Sequence, residues 1–172
     1  MGFWLLIPFL LIRFGLLAIL NKEAAKRISH FPPLTKAEKI GYWVYQISAL
    51  SIYVSPFFLE IKIAPLALFG AGVVVYLAGI ILLTISLINF SAPSEEGINQ
   101  NGLYRLSRNP IYLAYFVFFI GCALLTQSWI LLCFVLVLQI STHWIILAEE
   151  RWCMEAFGDG YLTYMNSVRR YI

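Results

Sequence analysis

The chain is poor in charge. Asp, Glu, Lys and Arg make up only 12% of its 172 residues, while 61% are hydrophobic. A typical soluble domain is about a quarter charged. So little polar surface excludes an ordinary water-soluble fold, because a chain of this length cannot hide that much apolar area from water. Cysteine is scarce too. Cys122, Cys133 and Cys153 fit neither a zinc motif nor a C-x-x-C redox pair, and no metal site is expected. No G-x-G-x-x-G follows a strand pattern, which excludes the Rossmann dinucleotide fingerprint. The net charge is +3, yet no dense basic patch is interleaved with aromatics, so nucleic acid is not an expected partner. Internal repeats and low-complexity tracts are also missing.

What is present is apolar run after apolar run, with a mean hydropathy of +0.82. A hydrocarbon core about 30 Å thick takes roughly 20 apolar residues of helix. Five segments answer that requirement: Phe3–Leu20, Ile40–Leu59, Ile63–Phe90, Pro110–Thr126 and Trp129–Ala148. Only Gln127 and Ser128 separate the last two, so these form a tight helical hairpin. The first segment is interrupted by Pro8 and Arg13. It lacks a basic n-region and an A-x-A-like cleavage site, and is read as a retained helix.

The basic residues test the count. Loop 21–39 holds Lys22, Lys26, Arg27, Lys36 and Lys39, loop 91–109 holds Arg105 and Arg108, and the tail holds Arg151, Arg169 and Arg170. With five spans, these ten of the twelve basic residues share one side, Lys62 takes the other, and Arg13 lies within a span. The positive-inside rule then puts the N-terminus outside and the C-terminus in the cytoplasm.

The predicted fold is all-α: a polytopic membrane bundle of about five transmembrane helices with a C-terminal amphipathic helix. Gly158-Asp159-Gly160 breaks the continuation of the fifth helix, and Tyr161, Tyr164, Met165 and Val168 then recur at helical spacing. Residues 1–90 supply the N-terminal transmembrane helices. Residues 91–172 supply the expected catalytic core, within one integrated membrane domain.

Polar groups at membrane depth are costly, so each needs a reason. Asn109 precedes Pro110 as an N-cap precedes a first helical turn. Taken alone, this segment is a well-capped helix entrance with interfacial Arg and Tyr anchors. In the fifth helix Gln139, His143 and Glu150 stand at i, i+4 and i+11, on one face turned toward the bundle or a cavity. Glu149 and Glu150 sit at the negative end of that helix's dipole and call for a cation, either Arg151 or a bound one.

The stretch Gly102-Leu103-Tyr104-Arg105…Arg108-Asn109-Pro110-Ile111-Tyr112-Leu113 resembles the signature of the isoprenylcysteine carboxyl methyltransferase and phospholipid methyltransferase superfamily. A hydrophobic hairpin follows, then Glu149-Glu150-Arg151, Phe157-Gly158, Tyr161, Tyr164 and Val168-Arg169-Arg170, in that superfamily's order. The resemblance covers about residues 85–172. One departure is Asn109, where many members have His; this makes the position a poor proton shuttle.

The resemblance implies an integral membrane methyltransferase that uses S-adenosylmethionine. It assigns Arg108 to the donor's carboxylate, and Tyr104, Tyr112, Glu149 and Glu150 to its amino group and sulfonium. Phe157 and Tyr161 would line the adenine slot. Asn109, Pro110, Leu113 and His143 complete the expected donor-binding set. Glu150 and Arg169 are the expected catalytic residues, with the tail folded over the donor as a lid. The acceptor implied is a lipophilic molecule entering from the bilayer, of the prenylcysteine-carboxylate or phospholipid-amine type. The alternatives are a membrane reductase of the sterol-reductase type using NADPH, for which the helix count is low, and a non-enzymatic membrane protein.

Overall fold

The computed structural model describes residues 1–28, 32–94 and 97–171. Glu95, Glu96 and Ile172, within the expected catalytic core, and Ser29–Phe31, in the basic loop, lie outside the described residues. Six helical segments follow one another: α1 (Gly2–Leu20), α2 (Lys22–Arg27), α3 (Lys36–Val54), α4 (Leu66–Ser91), α5 (Pro110–Thr126) and α6 (Trp129–Ser167). No strand occurs among the described residues. By length and composition α1, α4 and α6 can each cross a membrane, and α5 is a shorter apolar helix of 17 residues. In α3 the charged residues Lys36, Glu38 and Lys39 occupy the first turn, ahead of the apolar run that begins at Ile40.

All five expected segments are present, with shifted ends. Pro56 terminates α3 early by entering a 3₁₀ turn over Ser55–Phe57, and Pro65 sits at the N-cap of α4, moving its start to Leu66. The fifth segment runs much further than Ala148. At Gly158, with φ 55° and ψ −132°, the backbone leaves the helical region, and a second helical stretch follows this kink to Ser167, so the expected break and the tail helix after it are both present. The interruption in α1 is a π-helical segment, Leu11–Leu16, centred on Arg13 rather than on Pro8.

The bundle has two distinct ends. At one, the Gly2 N–H donates to Leu59 O, the Lys62 N–H to Leu125 O, and Gln127 Nε2 to Ala64 O at 2.8 Å. At the other, Asn21 Nδ2 donates to Ser91 O at 2.9 Å, and Arg151 Nη2 donates to Glu38 at 2.9 Å. This alternation is what five crossings require. It gathers all ten loop and tail cations at the second end, hereafter the charged end.

The helices pack as two pairs, α4 on α5 and α3 on α6, with α1 leaning on α4. In the first pair the backbones approach so closely that a Cβ at Gly79 would collide with the backbone of Phe118, and one at Gly121 with that of Tyr76. Small residues at the contact are how apolar helices associate without water to drive them. Phe9, Phe118 and Phe119 stack at the centre, with ring centroids 5.1–5.2 Å apart. Ile40, Trp43, Ile47, Leu50 and Val54 lie exposed along the outer face of α3. A helix whose large apolar side chains point outward is solvated by lipid.

Candidate functional site in the cavity between the helix pairs

The two pairs do not close on each other at the charged end. A cavity of about 640 Å³ remains there, within the usual range for small-molecule sites. The neighbouring carboxylates of α6 meet entirely different surroundings in it.

Glu150 is 3% exposed. Arg108 Nε and Nη2 donate to its Oε1 at 3.0 and 2.7 Å, and Arg170 Nε and Nη2 donate to its Oε2 at 3.0 and 2.7 Å. The remaining Arg108 nitrogen, Nη1, donates to the carbonyls of Met165 and Val168, each at 2.8 Å. One carboxylate thus ties the entrance of α5 to the tail. Removing Glu150 would leave the buried Arg108 without its partner.

The tail leaves α6 in extended conformation at Val168, with φ −127° and ψ 135°. Side chains alternate along an extended chain. Arg170 therefore turns inward to Glu150, and Arg169 is exposed, contributing only its carbonyl, which accepts the Arg108 N–H at 3.0 Å. The expectation of an inward-facing tail arginine shifts by one residue, from Arg169 to Arg170. Two further expectations are corrected. Arg151 does not neutralise the α6 carboxylates but pairs with Glu38 of α3. Asn109 stands at the N-cap position without capping: its N–H is held by Ser107 Oγ at 3.1 Å, and its Nδ2 donates to Arg170 O at 3.1 Å.

Glu149 lies about 100° around the helix from Glu150. The Tyr112 hydroxyl donates to its Oε1 at 2.6 Å. Among the described residues no Lys, Arg or His side chain lies within 4 Å of it. It faces the cavity as a carboxylate without a cation.

The walls are aromatic. The Gly158 kink brings Tyr161 and Tyr164 against Ile98, and the Tyr164 hydroxyl donates to Tyr104 O at 2.7 Å. Trp152 and Phe157 meet edge to face at 6.0 Å between ring centroids. Asn99 also lines the cavity, and its Oδ1 is buried without a hydrogen-bond partner.

Of the residues singled out in the sequence, Tyr104, Arg108, Asn109, Tyr112, Glu149, Glu150, Phe157 and Tyr161 line this cavity. Pro110, Leu113, His143 and Arg169 are not brought into it. On α5 it is Ile111, Tyr112 and Tyr115 that face the cavity. His143 lies two helical turns before Glu150, in an outer groove with Gln139, Ile140 and Trp144, and its Nδ1 is 2.6 Å from the Tyr171 hydroxyl. The face predicted for Gln139, His143 and Glu150 therefore divides. Its last member enters the protein, and the first two border the docked tail. Sequence reasoning missed Asn99, Arg170 and the tyrosines Tyr45, Tyr53 and Tyr115. Asn99 carried a signal in standing beside the Asn101-Gly102 turn.

The class of protein is a helical membrane bundle with an aromatic-walled cavity, lined also by charged side chains, at its charged end. The family model described as phospholipid methyltransferase matches residues 61–160, more than half of the chain. The chain belongs to the phospholipid methyltransferase family and is a membrane methyltransferase. No curated protein and no solved structure matches it. The matched segment contains Arg108, Glu149 and Glu150; Arg170 and all of α1, α2 and α3 lie outside it.

Proposed function

We propose that the protein transfers a methyl group from S-adenosylmethionine to a lipophilic acceptor admitted from the bilayer, of the phospholipid-amine or prenylcysteine-carboxylate type. The observation that carries this reading is Glu149, a carboxylate facing the cavity with a tyrosine hydroxyl but no cation. A low-dielectric site that keeps such a group favours a cationic ligand beside it. When bound, S-adenosylmethionine supplies an electrophilic methyl group on a sulfonium centre.

The other groups fit the same ligand. Four of the five Arg108 N–H donors are committed to Glu150, Met165 and Val168, which leaves one on Nη2 for a ligand carboxylate. The unpartnered Asn99 Oδ1 is an acceptor suited to an exocyclic amine such as that of adenine. Trp152, Phe157 and Tyr161 offer flat apolar surface for a base. Glu150 and Arg170 act on this site by position, because they fasten the tail that closes one wall. Methyl transfer asks chiefly for in-line alignment and a dry site, and a rigid aromatic wall supplies both. The ten cations at the cavity's end support a cytoplasmic location for it, and hence an outside N-terminus and a cytoplasmic C-terminus.

The test is a titration of the detergent-purified protein with S-adenosylmethionine and, separately, with NADPH. Saturable binding of the first alone is expected, followed by transfer of labelled methyl into extracted lipids. Binding of NADPH with none of S-adenosylmethionine would overturn the reading.

A further inference from the structure

Two arginines of the cavity have no carboxylate partner among the described residues: Arg27, which donates to the carbonyls of Phe90 and Gly97, and Arg13, for which no hydrogen bond is found. Arg13 lies seven residues before Leu20, the charged-end terminus of α1, and so roughly 10 Å inside the span. It lines the same cavity as Glu149. Among the described residues no carboxylate lies within 4 Å of it. Its guanidinium carbon sits 5.4 Å from the centroid of the Phe14 ring, and Tyr45, Tyr53 and Tyr115 line the same cavity.

An arginine at this depth without an acidic partner is costly, and groups of this kind mark ligand paths. The backbone departs from regularity at the same place: Arg13 is in the π-helical segment Leu11–Leu16. Such segments are frequent at functional sites. The tyrosines give the spacing. Tyr112 bonds Glu149, and Tyr115 follows at i+3 with its ring centroid 6.2 Å from that of Tyr112 and 5.3 Å from that of Phe9, which precedes Arg13 by one turn of α1. Tyr115 therefore stands about one helical turn deeper in the bilayer than Tyr112, on the wall of the cavity that Arg13 also lines.

We propose that Arg13, with the Tyr115 hydroxyl, forms a subsite for the oxyanion of a lipophilic molecule, a phosphate or carboxylate carried on an apolar tail, and that this molecule is the methyl acceptor. The second half of that statement rests on the methyltransferase reading; the oxyanion subsite does not. The donor's positive charge would be held at Glu149 and the acceptor's oxyanion at Arg13; a carboxylate there is itself the nucleophile, and a phospholipid's amine extends from its phosphate toward the donor. The new bond to the methyl carbon forms as the sulfonium S–C bond breaks, leaving S-adenosylhomocysteine, and an amine acceptor gives up one proton. The tail remains at bilayer depth, where α1 and α3 offer apolar surface. Of the two subsite residues, Arg13 lies outside the segment matched to the family and Tyr115 within it.

The experiment uses the full chain in a neutral maltoside detergent, with dodecyl phosphate as acceptor probe and S-adenosylhomocysteine as donor-site probe, both followed by calorimetry. Dodecyl phosphate should saturate a single site, and inorganic phosphate at the same concentration should not displace it. Arg13→Gln should weaken dodecyl phosphate at least tenfold and leave S-adenosylhomocysteine unchanged, while Arg13→Lys retains most of the affinity. Tyr115→Phe, which keeps the charge and the ring, should weaken dodecyl phosphate two- to fivefold, and it serves should Arg13→Gln fail to fold. Equal dodecyl phosphate affinity in wild type and Arg13→Gln would overturn the subsite, as would displacement by inorganic phosphate. A tenfold loss of S-adenosylhomocysteine binding in Arg13→Gln would overturn it too, by giving Arg13 to the donor. Arg13-dependent dodecyl phosphate binding in a protein that binds no S-adenosylhomocysteine would uphold the subsite and defeat the methyltransferase reading instead.

Discussion

The cavity's two regions differ in how completely their charges are answered. At the tail, Glu150 meets two arginines through both of its oxygens, and Arg108 spends its remaining nitrogen on backbone carbonyls. Elsewhere in the cavity, Glu149 has a tyrosine hydroxyl and Arg13 a ring face, and among the described residues neither has an oppositely charged partner within 4 Å. Adjacent residues on one helix have thus been put to opposite uses. A saturated charge holds structure, because disturbing it orphans a partner. An unsaturated charge at membrane depth destabilises the empty protein and is retained where a ligand completes it.

The sharpest way to break this comparison is to exchange the roles of the carboxylates. Glu150→Ala leaves Arg108 buried without a carboxylate and beside the half-buried Arg170, so a stability loss of about 3–5 kcal/mol is expected. Thermal unfolding in detergent measures it, and proteolysis should find the tail released. Glu149→Gln should do the reverse. Stability is not lowered, since no cation loses its partner and the Tyr112 hydroxyl still finds an oxygen. Affinity for S-adenosylmethionine falls by about 2 kcal/mol, roughly thirtyfold, through loss of a charge-assisted contact. If Glu149→Gln unfolds the protein while Glu150→Ala merely weakens the donor, the assignment is inverted. Asn109→Ala, a smaller probe, removes the amide's bond to Arg170 O and should cost about 1 kcal/mol of stability with donor affinity intact. A loss of donor affinity there would move Asn109 from the tail clasp into the ligand site.

Most of the fold was legible because lipid imposes a coarse rule: apolar runs of fixed length, with cations gathered at one end. Loop chemistry such as Pro56 and Pro65 adjusted only the boundaries. The site was legible where type and spacing act together, as at Arg108, Tyr112 and the Glu149-Glu150 pair. It was not legible where three-dimensional path decides. Arg169 and Arg170 are indistinguishable as letters, and which one turns inward depends on the extended conformation that begins at Val168. His143 shares a helical face with Glu150, but two turns away that face is met by Tyr171 rather than by the cavity. Arg13 was conspicuous as a charge in a span, yet its meaning needed Tyr115, a residue 102 positions along the chain.

The smallest expected effect belongs to a third carboxylate, Glu38, which is saturated but lies outside the cavity, in the first turn of α3 before the apolar run. Arg151 donates to both of its oxygens. The Arg151 hydrogen bonds hold its pKa down, to about 2. A carboxylate depressed on folding contributes stability that is fully present above the ordinary value of about 4.5 and is lost as pH falls toward 2. The Arg151 side chain is 35% exposed, so solvent screens the pair and its worth at pH 7 is about 1 kcal/mol or less. Glu38→Gln should therefore lower the unfolding temperature slightly at pH 7, and the gap from wild type should close between pH 4.5 and pH 2. The pair joins α3 to α6, and both helices line the cavity, so the same variant also asks whether a contact outside the cavity affects it. If saturated charges serve structure alone, donor affinity stays constant across that pH 7 comparison. A fall in affinity larger than the fall in stability would show that this outer pair sets the width of the cavity.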